Sequence, residues 1–169
     1  MAAPSKEQVW LTRSLRDRLL AALVDRRFVH LPLSGEDARS AEIATSFPLG
    51  RMRREAGAHV DQIEIQVDKH NKLSFRLNFA RYSADGIDHV AGRVASEDVW
   101  IHYLPRYQEL YEKPLIRQWW AVRLWPGQTA AEKDYQELCE RAVACLDEIE
   151  AALDGAKPSL WSGHVRTVG

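Results

Sequence analysis

The stretch VDQIEIQVDKHNKLSFRLNFAR, residues 60–81, decides how this chain folds. In its first half Ile63, Ile65 and Val67 alternate with Glu64, Gln66 and Asp68. After a polar turn, Lys69-His70-Asn71-Lys72, Leu73, Phe75, Leu77 and Phe79 alternate with Ser74, Arg76 and Asn78. Side chains on a strand point to opposite faces at successive residues, so period two means one buried and one polar face. Two such runs joined by a short polar turn predict an antiparallel hairpin.

Working outward, residues 47–55 read as a further strand, closed by the turn Ala56-Gly57. The run 28–33, broken by Pro32, is short and extended, and 34–46 reads as either a loop or a short helix. Residues 116–125, IRQWWAVRLW, read as a strand. Ile116, Gln118, Trp120, Val122 and Leu124 share one face of it, and Arg117, Trp119, Ala121 and Arg123 share the other. Between them, 82–115 is interrupted by a loop at 83–86, by Pro105 and by Pro114. Residues 99–104 read there as a short strand or helical turn, and 106–112 as a helical turn.

Two helices flank the strands. One is expected over 6–27, opened by a capping box of Ser5 and Gln8, with an apolar stripe of Val9, Thr12, Leu15, Leu19, Ala22 and Leu23. The other is expected over 129–153, opened by Thr129 and Glu132 and ended by Gly155. Its stripe is Tyr135, Leu138, Ala142, Cys145, Leu146, Ile149 and Leu153. Each helix hides one stripe and each strand one face. The predicted fold is therefore α+β: a two-layer sandwich whose antiparallel sheet of about four strands carries the N-terminal and C-terminal helices on one face. The 169 residues fit a single domain, 1–169, with a core over about 5–155 and a tail, 156–169, packing through Leu160 and Trp161.

Composition narrows the function classes. With 23 basic and 24 acidic side chains the formal net charge is −1, so no electropositive field recommends nucleic acid as a partner. No apolar run is long enough to cross a membrane, and the start MAAPSKEQ lacks a signal-peptide pattern. Cys139 and Cys145, six residues apart on one helix, project in different directions and read as buried thiols of a reducing compartment. A cytoplasmic location is expected.

The polar sheet face carries the candidate site: Glu64, Gln66, Arg76, Asn78, Arg117, Trp119 and Arg123, with Arg51 and Arg53 beside them. Arginine, amides and tryptophan on a flat rigid surface match the composition of binding hot spots. That pattern predicts a non-catalytic interaction module whose partner is another protein. The competing reading is a metal-dependent, nuclease-like hydrolase with Glu64 as a ligand and Asp61 and Asp68-Lys69 nearby, although a lysine two residues beyond the acid is missing. A third is a small-ligand pocket built from 82–115 and the tryptophans. Single-strand nucleic-acid binding is disfavoured, because Phe75 and Phe79 fall on the buried face. The six histidines show no metal-ligand spacing, and there is no GxSxG or phosphate loop. No metal, cofactor or catalytic residue is assigned.

The order helix, strand meander, linker, Trp-rich strand and long C-terminal helix, over about residues 5–153, resembles small uncharacterised bacterial domains. That resemblance implies binding to another protein, as some immunity proteins do.

Overall fold

The two runs read from 60–81 pair as an antiparallel hairpin: His59 to Val67 lies against Ser83 to Phe75, with Ile63 opposite Phe79 and Ile65 opposite Leu77. The computed structural model describes residues 3–70, 73–159 and 161–169. Turn residues Asn71 and Lys72, and Leu160 of the tail, lie outside the described residues. The chain runs through α1 (Lys6–Ser14), a π-helical stretch (Leu15–Leu20), α2 (Ala21–Asp25), β1 (Val29–Leu31), α3 (Gly35–Arg39), α4 (Ala41–Ser46) and β2 (Arg51–Ala56). Then come β3 (His59–Val67), β4 (Ser74–Ser83), β5 (Ile87–His89), β6 (Gly92–Val94) and two 3₁₀ turns (Ser96–Asp98, Ile101–Tyr103). It finishes with β7 (Tyr107–Leu110), β8 (Trp120–Ala121), α5 (Glu132–Val143), α6 (Leu146–Leu153) and β9 (Val165–Val168).

The α+β class holds, but the sheet has seven strands rather than about four: β1-β2-β3-β4-β7-β9, with β8 also on β4. Two differences come from residues 105–125. Tyr107–Leu110, expected as a helical turn, is a strand held from both sides, by β4 and by β9. Pro105 and Pro114 bound it too closely for a helix, and two partner edges satisfy its backbone. Conversely, only Trp120 and Ala121 of the expected strand 116–125 pair with the sheet. Arg117 is left-handed (φ 51°) and Gln118 N–H donates back to Lys113 O at 2.9 Å, so Lys113–Gln118 is a tight turn. The tail does not pack through Trp161, which is 86% exposed; Val165–Val168 joins the sheet instead.

One face of the sheet is covered by the helices as expected. Met52, Ile63, Ile65, Phe75, Leu77, Phe79 and Leu110 meet Leu11, Leu15, Leu19 and Leu23 from the first helix and Leu138, Ala142, Leu146 and Ile149 from the last two. The Ser5–Gln8 capping box opens α1. Val9 is exposed and Leu11, one turn before Leu15, takes its place in the core, while the π turn further along buries Leu19 and Leu20 together. The second helix starts at Glu132 and its cap is Ala131, two residues beyond the expected cap Thr129, with the Asp134 carboxylate accepting Ala131 N–H at 2.7 Å. It breaks at Ala144-Cys145 and restarts at Leu146.

Gly50 fixes how β2 meets β1. Its φ is +73°, and a Cβ there would stand 2.2 Å from the Leu31 carbonyl oxygen. Gly50→Ala is expected to cost about 3 kcal/mol, combining left-handed strain with displacement of β1. The readout is a lower urea midpoint at unchanged slope; an unchanged midpoint would mean that Leu31 and Pro32 yield freely.

Candidate functional site

The second sheet face is not open. Residues 96–104 cross it, burying Val99, Trp100 and Ile101 completely or nearly so. Beneath them the alternation of β3 brings Val60, Gln62 and Glu64 to this face. Val60 packs with Tyr82 and Val99. Gln62 donates to Val99 O (2.9 Å) and to Glu64 Oε1 (2.8 Å), and accepts from the Tyr82 hydroxyl (2.7 Å). Glu64 Oε1 also accepts the Ile101 backbone N–H at 2.8 Å. Arg51 donates to Val99 O at 3.0 Å and stacks on Trp100 at 4.7 Å, and Trp100 leans on Phe47. Thus Arg51 and Arg53, expected on an open face, hold the covering segment down; Arg53 reaches Ser96 Oγ at 3.2 Å. The tryptophan at position 100 is core rather than the wall of a ligand pocket.

Gln66, Arg76 and Asn78 form a second network further along the face. Arg76 donates to Gln66 Oε1 at 2.9 and 3.0 Å and to the Tyr111 hydroxyl at 2.6 Å, and pairs with Glu109 at 2.8 Å. Asn78 donates to the same Gln66 oxygen at 3.0 Å. Trp119 lies over the guanidinium at 4.7 Å. Burial, and next the hydrogen bond to Glu109, push the Tyr111 hydroxyl up to about 12. The fold therefore gathers Glu64, Gln66, Arg76 and Asn78, but as internal fasteners; Glu64 and Asn78 are buried, which corrects the expected exposed surface.

Glu64 has no path to a metal and substrate. It is fully buried, and burial pushes its carboxyl up to about 7 against the hydrogen bonds it accepts. Asp61, its expected companion, lies on the opposite face by alternation. Arg54 and Arg81 each donate to Asp61 twice, and Arg54 also pairs with Glu150 of α6 at 2.7 Å. A cleft of about 890 Å³ borders this cluster. It is lined by five arginines, Arg26, Arg27, Arg53, Arg54 and Arg81, and by four acids, Asp25, Glu55, Asp61 and Glu150, so most of its charge is offset within the cleft.

What stays accessible of the candidate set is Arg117 and Arg123, with Trp119 half-buried. Arg123 is engaged with Glu112 at 2.6 Å; Arg117 stands at the tip of the Lys113–Gln118 turn. Around that tip the surface is apolar. Leu115 (48%), Ile116 (68%) and Trp161 (86%) are exposed and line one cleft of about 370 Å³, floored by Pro114, Gly163 and His164. Leu124 and Trp125 are exposed a few residues further on. The sequence reading missed Ile116 and Trp161 because it placed the first in a strand and the second in a packed tail.

A third grouping was also missed. Cys145 Sγ, a Glu148 carboxylate oxygen and a His164 ring nitrogen lie within 4.8 Å of one another. The i, i+3 spacing of Cys145 and Glu148 was visible in the sequence, but His164 arrives only through the return of β9. Neither thiol is a ready nucleophile: burial pushes Cys145 up to about 11 and Cys139 up to about 12.

Comparison with protein-family models, with curated proteins and with solved structures finds no match for this chain. No helix among the described residues is long and apolar enough to cross a membrane.

Proposed function

We propose that this chain is a non-catalytic protein-interaction module, and that its partner seats on the cleft rimmed by Leu115, Ile116 and Trp161. One observation carries the reading: an almost fully exposed tryptophan and two exposed aliphatic side chains converge on a single cleft beside Arg117. Exposed apolar groups scattered singly are ordinary, whereas convergent ones beside arginine are the composition of binding hot spots. Arg117, Trp119 and Arg123 keep their proposed roles at or near the rim. Gln66, Arg76, Asn78 and Glu64 act from beneath, holding the face that carries Trp119. Two free cysteines suit a reducing compartment, and the module is placed in the cytoplasm.

The test is retention of a partner from lysate of the source cells by the wild-type chain and by an Ile116→Asp, Trp161→Ala double variant. Both positions are solvent-exposed, so stability should stay within about 0.5 kcal/mol. A partner held by wild type and released by the variant, at an equal urea midpoint, is the expected result. If the variant retains the same proteins as wild type, or wild type retains none, the reading fails. Arg76 is unsuitable for this purpose, since reversing its charge would break the internal network with Gln66, Glu109 and Tyr111.

A further inference from the structure

The first-helix arginines, the Asp61 cleft and the pocket near Glu7 all consist of mutually paired or ordinary surface groups. The grouping of Cys145, Glu148 and His164 differs, because a thiol stands beside a carboxylate–imidazole pair. The break between α5 and α6 sets Cys145 directly before α6, and Glu148 follows one turn later, so both donors face the same side. His164 comes from the residue before β9, and its Nδ1 meets Glu148 Oε1 at 2.5 Å. The other Glu148 oxygen accepts the His164 backbone N–H at 2.6 Å. Gly163 permits this approach: a Cβ there would stand 2.8 Å from Glu148 Oε2. Trp120 stacks on the His164 ring at 5.7 Å and fixes its plane. Its own Nε1–H is buried without a partner.

A carboxylate, an imidazole and a thiol thus converge, while no lysine or arginine pairs with Glu148 among the described residues. The Cys145 thiol donates to Arg141 O at 3.4 Å, a weak S–H hydrogen bond that a thiolate bound to a cation gives up. Sulfur, nitrogen and oxygen donors of this kind are the ligands of zinc. Around a tetrahedral zinc, donors sit about 2.0–2.3 Å from the ion and hence roughly 3.3–3.8 Å apart. To admit the ion, the Glu148–His164 pair gives up the proton it shares and opens to that spacing, and Cys145 Sγ, within 4.8 Å of both, turns in.

We infer that Cys145, Glu148 and His164 form a three-ligand site for a zinc-class divalent cation. Three protein ligands leave a fourth position for water or an incoming group. His164 is also part of the floor of the cleft rimmed by Ile116 and Trp161. The site shares that residue with the interaction reading but draws on none of the apolar rim, so Ile116→Asp separates the two.

The experiment is titration of the full, metal-free chain with cobalt(II) under reducing, anaerobic conditions. One equivalent should bind with a dissociation constant at or below about 1 µM. It should give a thiolate-to-cobalt charge-transfer band and the intense visible bands of four-coordination, both abolished by added zinc. Cys145→Ser should remove the charge-transfer band, and Cys139→Ser should leave it intact. His164→Gln and Glu148→Gln, at half-exposed positions, should fold and weaken binding by at least about tenfold. Ile116→Asp should leave the titration unchanged. A wild-type spectrum without the thiolate band overturns the site without any variant, and so does a band that survives Cys145→Ser or follows Cys139.

Discussion

Replacing Asp61 by alanine should destabilise the protein by about 3–5 kcal/mol, a large share of the total stability of a domain this size. Asp61 has no solvent exposure, yet it holds two arginines that tie three elements together. Arg54 from β2 bridges Asp61 and Glu150 of α6, and Arg81 from β4 bridges Asp61 and Asp154 at the end of α6. Removing the shared carboxylate leaves two guanidinium groups partly buried with their central partner gone, so the loss exceeds that of a surface pair. Asp154→Ala, which takes away only an exposed partner, should change stability by less than about 0.5 kcal/mol.

Acidity offers a second handle on the same group. Burial alone would raise the Asp61 carboxyl, but the hydrogen bonds and charges of Arg81 and Arg54 outweigh it and hold it below the usual range. A depressed folded value means the unfolded chain binds the proton more readily. The stabilisation is therefore complete above an ordinary aspartate value near ~3.9 and fades as pH falls below it. Urea unfolding at pH 7 and pH 3 should show the Asp61→Ala penalty shrinking in acid. A penalty of equal size at both values would mean that lost packing, rather than charge, dominates.

Glu64→Gln should act in the opposite direction and stabilise the protein at alkaline pH. Burial lifts this carboxyl from 4.5 to about 7, so the folded state holds a proton that the unfolded state has released. Stability then falls as pH rises from about 4.5 to 7, by about 3 kcal/mol in all, and stays flat beyond. The amide keeps an oxygen for the Ile101 N–H and the Gln62 amide while its NH₂ replaces Oε2, an oxygen with no partner. Asn78, directly opposite across the β3–β4 ladder, has a buried Oδ1 that also lacks one. The expected result is a raised midpoint at pH 8, little change at pH 5 and a flattened pH profile. A variant less stable than wild type at pH 8 would show that the carboxylate is held charged. The same substitution bears on the hydrolase reading, since an enzyme relying on Glu64 would lose its activity while gaining stability.

How far the sequence could be read follows from where its information is local. The β3–β4 hairpin and the apolar stripes of α5 and α6 depend on the alternation or periodicity of neighbouring residues, and both were legible. Tyr107–Leu110 has little pattern of its own and becomes a strand because β4 and β9 border it. Residues 116–125 do alternate, but the left-handed Arg117 ends the run before pairing can spread. For the candidate site, alternation assigned Glu64, Gln66, Arg76 and Asn78 to the correct face. It carried no sign of the cover, whose hold on that face comes from side chains of β2 and β3 more than thirty positions away in sequence. The meeting of His164 with Cys145 and Glu148 depends on the path of β9 and had no local signature.

The way residues 96–104 are fastened has a consequence for variation. Arg51, Gln62, Glu64 and Tyr82 grip this segment by its peptide groups: the carbonyls of Ser96 and Val99 and the amide of Ile101. Peptide groups are the same whatever side chain they carry. Diverging sequences can therefore rewrite the outward-facing positions Glu97 and Asp98 without loosening the attachment, whereas His102 packs on Phe47 and Trp100. A loop library randomised at those two positions would inherit a rigid platform, with diversity displayed on a backbone that the sheet keeps in place.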